Sequence, residues 1–112
     1  MDQCWTEGPT PGSPQASTAT DADLRIAGWI AAAAAGDANA AFDLGVGCST
    51  TGLTGDIDLI EAHKWFNLAA VAGHEEAKAC RAEVSEEMTA REIAEAQRRA
   101  REWLREMARR AA

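Results

Sequence analysis

The stretch Asp58–Ala79, DLIEAHKWFNLAAVAGHEEAKA, decides how this chain is read, because it holds both histidines and a glycine set between two alanine-rich runs. Its apolar residues recur at helical spacing, and Gly73 stands where one helix would stop and the next begin. A helical hairpin is therefore the first expectation. Trp65 and Phe66 are adjacent, so a helix turns them about 100° apart and lets them face two different neighbours.

Outward from this stretch, the chain resembles itself at an offset of 37 residues. Ala32 matches Ala69, Ala33 matches Ala70, Ala35 matches Ala72, Gly36 matches Gly73, Ala40 matches Ala77, and Trp29 stands opposite Phe66. A period of this length in a helical pattern marks stacked helix pairs. The alanines let short antiparallel helices approach closely, Trp65, Phe66 and Leu68 supply bulk, and glycine after the alanines suits a left-handed turn. The expected helices run from Thr20 or Asp21 to about Ala35, from about Ala38 to Cys48, from about Leu59 to Ala72 and from about Glu75 to Glu87. Each is short enough to need docking for its stability.

The last segment, residues 89–110, reads as one long amphipathic helix. Thr89 and Glu92 have capping-box spacing, and Ile93, Ala96, Ala100, Trp103, Leu104 and Met107 form a single stripe. Such a helix can close the open end of a repeat stack. The short Met88–Thr89 link predicts that it folds back over the fourth helix, with Trp103 and Leu104 reaching toward the start of the preceding hairpin.

With 112 residues the chain holds at most one domain and a modest core, so function is expected on a surface. Residues 1–19 contain all three prolines among small polar residues and read as a disordered arm, with Trp5 as a candidate docking element. Residues 20–112 form the helical domain: a partial repeat over 22–37, a repeat over 38–73, a helix over 74–88 and the terminal helix. No long apolar run or secretory pattern is present, which makes a cytoplasmic location the expectation. The net charge of -7 argues against a nucleic-acid surface, since phosphates demand cations. Residues 89–112 carry +3 of that total and residues 1–88 carry -10, an acidic body with a basic tail that can contact itself or a second copy.

Laid out in this way, the chain resembles the Sel-one-like repeat (SLR) family, a relative of the tetratricopeptide repeats. The family pattern is met by Ala40, Leu44, Gly45, Asp58, Ala62, Trp65, Phe66, Ala69, Ala70, Gly73 and Ala77. Cys48 stands where that pattern has a tyrosine, so that either the first hairpin is looser or another ring, Trp29 for example, fills the space. The resemblance implies an all-α fold, a short right-handed α/α superhelical stack of helical hairpins with a long C-terminal capping helix. It also implies a non-enzymatic adaptor that holds another protein through side chains on its inner, first-helix faces. The packing residues of that reading are the nine pattern positions from Leu44 to Ala77 other than Asp58, joined by Trp103 and Leu104.

Chemistry has little to anchor it. His63 and His74 lie on different helices without the i, i+4 spacing that sets two ligands on one face, and Cys4, Cys48 and Cys80 form no CxxC pair. Neither metal, cofactor nor catalytic residues are assigned. His63 is expected to be partly exposed on the third helix and, with Trp5 and Arg99, is a candidate interaction residue. Glu61 and the tail arginines read as solvated charges. Two other functions remain beside the adaptor: self-association through the C-terminal helix as a homodimer, and, remotely, a small metal-dependent or thiol enzyme.

Overall fold

A hydrogen-bonding side chain precedes every helix. In the computed structural model, which describes residues 20–51 and 55–111, Thr20 and Asp23 close a capping box at the start of α1, Asp21–Ala34. Asp37 accepts from the Asn39 and Ala40 amides to open α2, Ala38–Cys48. Asp58 does the same for α3, Leu59–Val71, through the Glu61 amide. The Nδ1 of His74 accepts from the Ala77 amide at 3.2 Å at the head of α4, Glu75–Ser85. Thr89 and Glu92 form a second capping box before α5, Ala90–Ala111. Each cap satisfies amides that have no partner within the helix. The described residues are all-α, with five helices and no strand.

The 37-residue repeat is visible in the backbone. The Asp37 amide donates to the Ala32 carbonyl at 3.0 Å and the His74 amide to the Ala69 carbonyl at 2.9 Å, while Gly36 and Gly73 donate to Ala33 and Ala70. Both glycines take positive φ, 99° and 104°. These are two copies of one helix ending, in which a left-handed glycine lets the next amides fold back onto the last free carbonyls. The residue after each glycine then caps the following helix, Asp37 in one copy and His74 in the other.

The core is centred on α3, which packs against α2, α4 and α5. Ala62 and Ala69 are fully enclosed, and Trp65, Phe66 and Leu68 are buried beside them. From α2 come Ala41 and Leu44, from α4 Ala77 and Val84, and from α5 Ala100. Gly45 lies so close to Phe66 that a β-carbon there would sit 2.6 Å from the ring. Phe42 completes this side, its ring 5.6 Å from Phe66 and stacked on His74 at 4.2 Å. Trp29, Ile26 and Cys48 pack half-buried at the edge. Ala70 is half-buried and Gly73 exposed, as suits a turn.

The terminal helix departs from the expected fold-back. It runs along α3 and not over α4. Two contacts, each between residues 38 apart in the chain, set its course parallel to α3: Arg99 reaches Glu61, and Trp103 meets Trp65. The reason lies in α4, whose sequence EEAKACRAEVS carries no apolar side chain larger than Val84 and so offers little for a long helix to cover. α3 presents Trp65. Leu104, placed among the packing residues, is instead 45 % exposed.

Candidate interaction surface

His63 is the first residue whose position differs from expectation. It is only 3 % exposed, because α3 is covered on several sides at once. One turn further along, Asn67 accepts a hydrogen bond from Arg81 of α4 at 2.6 Å, and the charge of Arg81 also acts on His63. Burial, then Arg81, holds the imidazole pKa below its ordinary value. Its Nδ1 is enclosed without a hydrogen-bond partner. His63 is therefore not an interaction residue at the surface.

Glu61 and Arg99 also depart from the solvated charges expected of them. Glu61 takes Lys64 at 2.9 Å and Arg99 at 2.7 Å, and Arg99 bonds Glu95 on its own helix at 2.7 Å. Burial works against ionisation of Glu61, but the hydrogen bonds from Lys64 and Arg99 outweigh it and hold the carboxyl below its ordinary value. Arg98 and Arg99 together hold Glu95 at about 2. Lys64 lies 4.2 Å from the centroid of Trp65, a cation over an aromatic face. This network fastens α5 to α3 beside the Trp65–Trp103 contact.

The two described thiols, Cys48 and Cys80, are not activated. Burial, reinforced by Glu61 and Asp58, pushes Cys48 up to about 11, and burial with Glu83 and Glu76 raises Cys80. Both are kept protonated near neutral pH, the reverse of what a nucleophilic cysteine needs. Cys4 and Trp5 lie outside the described residues. Among the described residues no three His, Cys, Asp or Glu side chains gather as a metal site would require.

What the fold does create is an apolar groove. Its floor is α3, at Trp65 and Leu68, and its walls are α1, at Ala33 and Ala34, and α5, at Trp103, Leu104 and Met107. The deeper part has a volume of about 160 Å³, well below the ~300 to 1,000 Å³ of small-molecule clefts, and suits one inserted side chain. It opens into a wider hollow of about 450 Å³ between Ala27, Ile30 and Ala31 of α1 and Met107 and Arg110 of α5. The groove thus runs between α1 and α5 over α3, with Ala41 of α2 also lining it and no residue of α4. Arg99 lines a separate shallow depression with Lys64, Arg98 and Glu102.

The pattern positions Leu44, Gly45, Ala62, Phe66, Ala69 and Ala77 are buried in the core, whereas Trp65 and Trp103 serve both core and groove. Sequence periodicity could not reveal the groove, because α1 and α5 are brought together only through α3. No protein-family model, curated protein or solved structure matches the chain.

Proposed function

We propose that this chain is a non-enzymatic docking module of the SLR type, which holds an apolar segment of another polypeptide in the groove between α1 and α5. The groove carries the reading: Trp103, Leu104 and Met107 offer large apolar and polarisable surface on a wall built from helix, opposite small alanines that leave room for an inserted side chain. The raised thiol pKa values and the histidines, one enclosed and one engaged as a helix cap, agree with a binding role over catalysis. No helix among the described residues is long and apolar enough to cross a membrane. A cytoplasmic setting, in which the free thiols remain reduced, belongs to the same proposal.

The test is selection of random-sequence peptides on the full chain, counter-selected with Leu104→Glu. Leu104 is exposed, so the variant keeps its fold while placing a charge in the groove. Peptides with spaced apolar residues that bind the native chain and not the variant are the expected result. Enrichment of the same peptides on both proteins, or of none, rejects the groove as the docking site.

A further inference from the structure

From Ile26 to Ala35 the chain reads IAGWIAAAAA, ten positions without a polar side chain. A helix that is apolar all round is normally covered all round. Here α1 is covered on one side only: Ile26, Trp29 and Ala33 pack against the core, and no residue of α1 is fully buried. On the other side Leu24 is 63 % exposed, with Ala27, Gly28 and Ala31 exposed around it, and Ile30, one turn beyond Ile26, is 38 % exposed at the edge of the hollow. A β-carbon added at Gly28 would meet nothing within 4 Å, so this side faces open space.

We propose that this uncovered face of α1, together with the hollow beside it, is where two copies of the chain pair about a twofold axis. The inference rests on the docking reading above and names its occupant as a second copy. A twofold contact requires knob and hole on the same surface, so that each copy supplies what the other lacks. This face carries both. Leu24 is the knob, and the hollow lined by Ala27, Ile30, Ala31 and Met107 is the hole. Small residues at Ala27, Gly28 and Ala31 allow two α1 helices to cross closely.

Charge favours the same pairing. The first turn of α1 carries Asp21 and Asp23, and Arg110 lines the hollow beside Ile30 and Ala34. Antiparallel crossing of two α1 helices brings the acidic turn of one copy toward the partner's Arg110. Glu106 is shared between Arg109 and Arg110, which leaves this end of α5 net positive.

Sedimentation of the full chain over a wide concentration range tests the proposal, with circular dichroism as the check on folding. The mass should rise from one chain to two. Ile30→Glu and Ala31→Glu should each weaken association about tenfold or more while the helices persist. Asp21→Arg and Arg110→Asp should each weaken it, and the two together should restore it. A chain that stays monomeric throughout, or a dimer untouched by Ile30→Glu and Ala31→Glu, overturns the proposal. So does a monomer that becomes a dimer when Trp5 is replaced by Ala, since the chain's own arm would then be the occupant. A strict monomer whose groove still selects peptides sinks the second copy and leaves the docking reading standing. A monomer that selects none rejects both.

Discussion

Trp103 meets Trp65 edge to face, with ring centroids 4.9 Å apart and planes at 73°, and this contact joins the terminal helix to the centre of the core. Aromatic pairs in this geometry contribute about 0.5 to 1.5 kcal/mol beyond the area they bury. Trp65 is almost wholly enclosed, whereas Trp103 keeps one edge toward the groove.

Trp65→Ala should therefore cost about 3 to 5 kcal/mol and Trp103→Ala a smaller amount. Urea unfolding of both variants and of the double variant isolates the pair, whose coupling should be about 0.5 to 1.5 kcal/mol. Additive losses would mean that the two rings share no direct interaction, and α5 would then need another anchor on α3.

Gly45 answers to Phe66 in a different way. Since a β-carbon at position 45 would come within 2.6 Å of the ring, Gly45→Ala should destabilise the chain by about 1 to 3 kcal/mol although alanine is the better helix former. Combining it with Phe66→Leu should recover part of the loss, because the smaller side chain gives way. A Gly45→Ala protein as stable as the native one would show that the two helices separate without cost.

How far these contacts were legible in the chain depends on how many neighbours each required. The two helix endings at Gly36 and Gly73 could be read because they are local: alanines, a glycine and a capping residue suffice. The family resemblance places Gly45 and Phe66 among the packing residues, but their contact depends on how closely α2 approaches α3. The course of α5 could not, because the choice between α3 and α4 turns on which of them presents a large apolar residue after the others have docked. His63 failed for the same reason, since its enclosure is the sum of several helices against one. The groove was illegible because its walls belong to helices separated by most of the domain.

The Glu61–Arg99 bond ties α3 to α5 from a partly exposed position, so solvent screens much of its strength. Arg99→Met should cost about 0.5 to 1 kcal/mol at neutral pH. Because the folded-state pKa of Glu61 is depressed, its contribution is present above the unfolded value of 4.5 and fades as pH falls through the folded value. The stability difference between native protein and Glu61→Gln should accordingly be full at neutral pH and shrink as pH falls below 4.5, as measured by urea unfolding. A difference that stays constant over that range would remove the carboxylate charge from the account.

His63 shapes the same acid side of the pH profile, beginning nearer neutrality. Burial and the neighbouring Arg81 lower its folded-state pKa below the ordinary 6.5, so the unfolded chain takes up a proton there before the folded chain does. Stability from this residue is complete above about pH 6.5 and is lost as pH falls toward the folded value, with a slope of at most about 1.4 kcal/mol per pH unit. His63→Leu keeps comparable bulk, removes the titrating ring and leaves His74 in place, so subtracting its stability profile from that of the native protein isolates this one group. As pH falls below about 6.5 the native protein should lose stability more steeply than the variant. Equal slopes in urea unfolding across that window would mean that His63 can take up its proton inside the fold, through an opening of the α3–α4 contact that Asn67 and Arg81 hold together.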